Sequence, residues 1–144
     1  MAAKAQAAPI SRTSSCLCGA VSITFEGFDK GAVLCHCSNC KSASGSAFMH
    51  NHRLLKADIH ITQGLHCLRE YADSATTSGN TLYRHFCSNC GSQLYLTNSK
   101  IAGFVAINAG NMQGERAGPF MELFLDNKYP WIGDVTGKEV KAKL

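Results

Sequence analysis

Seven of the chain's eight cysteines fall into three short clusters: Cys16 and Cys18 in "CLCG", Cys35, Cys37 and Cys40 in "CHCSNC", and Cys87 and Cys90 in "CSNCG". This pattern limits the fold more than any other feature, because clustered sulfurs need something to bind. The opening "MAAKAQAAPISRTSS" holds no apolar stretch long enough for a secretory signal. The expected setting is therefore the reducing cytoplasm, where disulfides do not persist and clustered cysteines serve as metal ligands. Spacing agrees, since cysteines two or three residues apart rarely bridge each other without strain. A disulfide-stapled secreted domain is the alternative.

The clusters offer two, three and two ligands. Structural zinc closes its tetrahedron with four thiolates, so Cys16, Cys18, Cys87 and Cys90 form one closed site that staples the start of the chain to its later half. Fixing so long a loop contributes folding energy directly. Gly19 and Gly91 each follow the last cysteine of a pair, where a positive φ turns backbone N–H groups toward the sulfurs as in zinc-knuckle turns. Cys35, Cys37 and Cys40 are left with an open fourth position, the usual form of a catalytic zinc. Two zinc ions are expected, one structural and one catalytic. In the competing arrangement Cys67 or a histidine closes the second site as well. His36, between two ligands, would tend to point away from their metal, and Cys67 in "GLHCLREY" reads as a small buried hydrophobe.

A chain of 144 residues, 45% hydrophobic and 17% charged, fits one domain with a real core. Its apolar periodicity is that of strands. "AVSITFEG" places Val21, Ile23 and Phe25 on one face, "TLYRHF" sets Leu82, Arg84 and Phe86 against Tyr83 and His85, and "SQLYLT" aligns Leu94 with Leu96. "IAGFVAINAG" suits a buried strand, and "MELFLD" alternates Met121, Leu123 and Leu125 against Glu122 and Phe124. No segment shows helical periodicity with caps. "EGFDKG", "ADSATTSGN" and "GNMQGERAGP" read as loops. The expected organisation is a loose segment over 1–13, a single zinc-binding catalytic domain over 14–137 and a tail over 138–144. No run approaches the roughly 20 apolar residues of a membrane span. The lysine-spaced tail "GKEVKAKL" lacks the aromatic interleaving of a nucleic-acid surface, so neither membrane nor nucleic acid is an expected partner.

The motif order CxCG, CxCxxC followed by "KSASGSAF", then "FCSNCGSQLY", "INAGNM" and "KYPWIGDVTG" resembles the family of glutathione-dependent formaldehyde-activating enzymes, which includes centromere protein V. The resemblance runs from about Ser14 to Gly137. It implies a mainly β fold, a β-tent of stacked antiparallel sheets. It also implies a structural zinc at Cys16, Cys18, Cys87 and Cys90, and a catalytic zinc at Cys35, Cys37 and Cys40. The implied reaction joins formaldehyde to glutathione as S-hydroxymethylglutathione, and many relatives are classed as carbon–sulfur lyases. Where family members often carry an acidic pair and a late-strand histidine, this chain has Asn111, Met112, Gln113 and Glu122.

Three thiolates leave a zinc site formally −1, a poor Lewis acid for a carbonyl but a good seat for a fourth thiolate. Such a metal keeps a thiol ionised at neutral pH while leaving its sulfur basic enough to attack, and in reverse receives sulfur from a C–S bond. A thiol adduct is thus the expected small-molecule partner. His36, with His50 and His52, is near enough in sequence to serve as acid or base. Lys41, with Arg53 and Arg84, is placed to meet carboxylates of a glutathione-like ligand, the plainer reading being solvated surface charges. The formal charge of +4 becomes about +1 once seven thiolates and two Zn²⁺ are counted, so no strong global field remains. A zinc-dependent enzyme acting on a C–S bond therefore competes with a non-catalytic zinc module that binds protein or chromatin.

Overall fold

Val21, Ile23 and Phe25 are fully buried, as their alternation requires, but the strand that holds Ile23 and Phe25 runs on well past it. The computed structural model describes residues 7–135. Within them lie eight strands: β1 (Ile10–Ser15), β2 (Ser22–Cys35), β3 (Met49–Gln63), β4 (Leu68–Asp73), β5 (Leu82–Cys87), β6 (Gln93–Asn98), β7 (Ile101–Asn108) and β8 (Met121–Leu123). One α-helix, α1 (Ser38–Ser44), follows β2. The strands form one open sheet in the order β1-β2-β3-β7-β6-β5-β4, every neighbour antiparallel, with β8 added parallel to the end of β2. The mainly β reading holds.

The sheet curls. Phe25 on β2 meets Tyr95 on β6 edge to face at 5.2 Å between ring centroids, although three inter-strand steps of about 4.8 Å separate those strands in a flat sheet. The concave side encloses the main core, including Ile23, Phe25, Leu54, Leu94, Val105 and Ile107. Burying such side chains contributes about 1.5–3 kcal/mol each. Alternate residues of the central strands turn the other way. The register Arg53↔Ala106↔Leu96↔Arg84 crosses β3, β7, β6 and β5 as one row on the opposite face. There a smaller apolar cluster of Val33, Cys35, Cys40, Met49 and Leu123 joins α1 to the sheet.

Several expectations need correction. Ile10–Thr13 are not loose: they belong to β1, paired with Gly27–Thr24 of β2, while residues 1–6 lie outside the described chain. "EGFDKG" is not a loop, because β2 passes through it and absorbs the irregularity as register shifts at Glu26/Phe28 and Asp29/Gly31. Gly31 adopts φ 79°, and a Cβ there would stand 2.5 Å from the Phe120 ring, so only glycine fits. Helix α1 was not expected. Leu125 leaves the strand for a 3₁₀ turn, Leu125–Asn127. Residues 136–144, with the end of the expected domain and the whole tail, lie outside the described chain. No described helix is long and apolar enough to cross a membrane.

Candidate functional site

The curl brings the turn after β1 against the turn after β5. Cys16, Cys18, Cys87 and Cys90 offer four sulfurs lying within 4.8 Å of one another. Four sulfurs at about 2.3 Å from a tetrahedral zinc stand about 3.8 Å apart; Cys16 and Cys18 are 3.6 Å apart, Cys18 and Cys87 3.9 Å. The donor set and its spacing therefore fit zinc. Gly19 and Gly91 take φ 76° and 74°, and their N–H groups close the two turns on Cys16 O and Cys87 O. Sulfur receives support too: Val21 N–H donates to Cys16 Sγ at 3.2 Å, and Asn89 Nδ2 to Cys18 Sγ at 3.2 Å. The Asn89 bond holds Cys18 below its ordinary pKa, the bond to Ser92 lowers Cys90 to about 5, and burial pushes Cys87 up to about 11. Cys16 and Cys87 are buried, Cys90 is half-buried and Cys18 is exposed, so the group sits at the edge of the core with one side toward solvent.

The other group is built locally. Cys35 ends β2 between Met49 of β3 and Leu123 of β8. Cys37 is the N-cap of α1, its Sγ accepting from Cys40 N–H at 3.3 Å, and Gly45 closes the helix in the left-handed conformation. The three sulfurs again lie within 4.8 Å of one another, and no further such group occurs among the described residues. Hydrogen bonds from Cys35 and Cys40 pull Cys37 down to about 2, while its thiolate, with burial, drives Cys35 far up and raises Cys40 to about 11. The three sulfurs thus oppose one another's ionisation, and a bound cation would relieve that opposition.

Cys35, Cys37 and Cys40 all line a cavity of about 120 Å³. Its wall includes the row Arg53, Ala106, Leu96 and Arg84, with Asn51, Phe104 and Phe124. Arg84 is buried, its Nε donating to Asp73 Oδ2 at 2.8 Å and its Nη1 and Nη2 standing 4.0 and 3.9 Å from Cys40 Sγ. Burial alone would lower its pKa, but the negative Cys40 and Asp73 outweigh that and raise it. Asn39 ties α1 to the same carboxylate, donating to Asp73 Oδ1 and Oδ2 at 2.9 and 3.1 Å.

The remaining sequence candidates are dispersed. His36, expected as an acid or base, is fully buried with Nε2 2.9 Å from Glu122 Oε1 and does not line the cavity. Lys41 donates to Asn127 O at 2.7 Å and lies 3.9 Å over the Tyr129 ring, also outside the cavity. His52 bonds Asp29 at 2.9 Å, and His50, its pKa lowered by burial, likewise stays off the wall. Arg53 and Arg84 are not solvated surface charges but buried residues of the wall. Cys67 packs half-buried against the main core and joins neither sulfur group. Sequence reasoning missed Asp73 and Asn39. The signal for Arg84 was present, since its strand alternation places it on the face of Leu82 and Phe86.

The model of the glutathione-dependent formaldehyde-activating enzyme family matches residues 11–127. Among solved structures, the crystal structure of a Rhodobacter sphaeroides protein is similar in fold, with a TM-score of 0.57 and 22% identity, covering 72% of this chain and 90% of that one. No curated protein matches.

Proposed function

The chain belongs to the glutathione-dependent formaldehyde-activating enzyme family, and from that premise we propose that it is a zinc-dependent enzyme making or breaking a carbon–sulfur bond in a thiol adduct. This is carbon–sulfur lyase-type chemistry, with S-hydroxymethylglutathione as the family's example. One observation carries the reading: the group with three sulfurs opens on a cavity, where a closed structural site would have a fourth protein ligand. Cys16, Cys18, Cys87 and Cys90 would hold the structural zinc, and Cys35, Cys37 and Cys40 the second.

Zinc held by three thiolates supplies a centre that keeps an added thiol ionised at neutral pH. The chain's own residues prepare that centre. Arg84, 3.9 Å from Cys40 Sγ, draws charge from one thiolate and leaves more room for another. Asp73 and Asn39 fix Arg84 and α1 relative to each other, as outer partners commonly do for ligands. In the breaking direction the C–S bond of R–S–CH₂–OH cleaves, its electron pair goes to sulfur, and the hydroxyl proton leaves as the carbonyl forms; addition runs the reverse. Among the described residues no histidine, carboxylate or lysine lines the cavity; that proton exchanges with water, and the wall serves to hold sulfur and carbon within reach.

The test is an NMR exchange measurement on zinc-loaded full-length protein with formaldehyde and either glutathione or 2-mercaptoethanol. Exchange between free and adduct thiol should speed up with at least one of them, and Cys37→Ser should remove the acceleration. Protein carrying both metals that accelerates neither exchange would leave the non-catalytic module as the better reading.

A further inference from the structure

Arg53 is 5% exposed, lines the cavity and has no acidic partner among the described residues. Its guanidinium makes one hydrogen bond, Nη2 to Lys30 O at 3.2 Å, and its Nε is buried with no acceptor. The Phe120 ring stands 5.7 Å away, a weak substitute for an anion. Arg84, on the same row of the sheet, shows the contrast: Asp73 and Cys40 already occupy it. A buried cation left unpaired costs several kcal/mol, and burial accordingly lowers the pKa of Arg53 with nothing to offset it. Such a residue, facing a cavity, is a seat for an anion that arrives with the ligand.

We propose that Arg53 anchors the carboxylate of a substrate whose thiol or thioadduct sulfur lies at Cys35, Cys37 and Cys40 and whose body between them is apolar. The sulfur end of this inference rests on the reading of the three-cysteine group given above. Three features of the wall define the class. First, the backbone row from Arg84, beside Cys40, to Arg53 spans three strand steps, a contour of about 14 Å, so sulfur and carboxylate belong to opposite ends of the ligand rather than to neighbouring atoms. Second, the surface between them is Ala106 and Leu96, with Phe104, Leu82 and Ile101 alongside, which favours methylenes along that row, while uncharged polar side chains such as Asn51, Asn98 and Thr76 stand elsewhere on the wall. Third, no carboxylate among the described residues lines the cavity, so among them the α-ammonium of glutathione meets no counter-charge. One unengaged guanidinium matches one carboxylate, whose two oxygens suit its planar fork; a dianionic phosphate would leave a charge uncompensated.

A sulfur-free probe tests the anchor separately from the thiol chemistry. Calorimetric titration of the zinc-loaded full-length chain should find hexanoate binding at least tenfold more tightly than 1-hexanol, and Arg53→Gln should abolish that advantage. Equal binding of the two in the natural chain, or an advantage that survives in Arg53→Gln, overturns the anchor; should the variant not fold, the natural chain decides alone. In the cobalt-substituted protein, 6-mercaptohexanoate should strengthen the thiolate charge-transfer bands at lower concentration than either 6-mercaptohexanol or glutathione. Glutathione acting at the lowest concentration overturns the apolar class. Bands indifferent to every thiol, beside hexanoate binding that depends on Arg53, would sink the thiol reading and leave the anchor standing.

Discussion

The two cysteine groups offer the same ligand atom, yet four sulfurs join two turns distant in sequence while three gather where one strand ends and one helix begins. Cys18 and Cys87 meet across 69 residues of chain, so a metal held there would fix a long loop and join β1 to β5. Cys35, Cys37 and Cys40 lie within six residues, on a corner that β3, β8 and α1 already hold in place. Closing so short a loop removes little chain entropy. A metal there contributes little to the fold, and the geometry is free to serve a ligand. Distance along the chain thus separates a structural from a functional use of identical chemistry.

The contrast breaks most directly at Cys90. Cys90→Ser changes a partly exposed side chain, so its effect comes through the metal rather than through packing. Opening the four-sulfur site should cost about 3–5 kcal/mol, a large share of the stability of a domain this size, and lower the thermal midpoint by roughly 10 °C or more. Circular dichroism melting with metal analysis checks this. An unchanged midpoint would mean that the staple is not what holds the two halves together.

Cys37→Ser probes the other side of the comparison. Serine is a good N-cap, so α1 keeps the bond that Cys37 Sγ now accepts from Cys40 N–H while a thiolate is lost. Thiol exchange should fall by about 100-fold or more, since even outer partners of a metal site are worth about 10- to 100-fold. The melting midpoint should move by only a few degrees. A collapse of the fold equal to that of Cys90→Ser would erase the distinction between the groups.

The division of seven cysteines into a group of four and a group of three was legible in the sequence because cysteine spacing is a local property that metal chemistry constrains tightly. What surrounds the sulfurs was much less legible. Helix α1 has seven residues, too few for a period, and a cysteine rather than Ser, Thr, Asp or Asn caps it. In β3 the stretch "MHNHRLL" is mostly buried on both faces and shows no alternation, while "KADIHITQ" does alternate Ala57, Ile59 and Ile61 with polar residues, a strand signal present in the sequence that sequence reasoning did not use. The burial of Arg84 depends on Asp73, its neighbour across the β4–β5 turn, and the empty environment of Arg53 depends on strands that meet only in the folded sheet. Propensity carries no information about such partners; only pairing register does.

Glu122→Gln sharpens the account of the buried polar groups behind the three-cysteine corner. Glu122 accepts from His36 and pairs with Lys128 Nζ at 3.0 Å. Burial alone would raise its pKa, but Lys128 and His36 together hold it below the ordinary value of 4.5. A carboxyl lowered on folding contributes stability that is present above that ordinary value and is lost as pH falls through the folded one. The glutamine variant should lose about 2–3 kcal/mol at neutral pH, where Lys128 and the charged pair are left unmatched, and should lose less further stability than the natural chain between neutral pH and pH 3. Chemical denaturation at both pH values measures it. Parallel pH curves for the two proteins would show that Glu122 does not titrate as the folded geometry requires.

The smallest expected effect carries the finest distinction. Cys67 is the one cysteine outside both groups, half-buried against the core edge near Leu68 and Cys90. Its backbone is engaged: Cys67 N–H donates to Gly64 O at 2.9 Å, and Cys67 O accepts from Ser88 N–H at 2.8 Å, which anchors the turn carrying Cys87 and Cys90. Neither bond involves the side chain, so Cys67→Ser should leave both intact and cost about 1 kcal/mol or less for placing a hydroxyl against apolar neighbours. Native mass spectrometry should find the same number of metal ions as in the natural chain, and the cobalt spectrum should keep its charge-transfer bands. If the variant instead loses the metal of Cys35, Cys37 and Cys40 while keeping that of the four-sulfur group, Cys67 is a ligand that moves in to close the three-sulfur site. The two groups would then both be closed, and the free position on which the proposed chemistry depends would not exist.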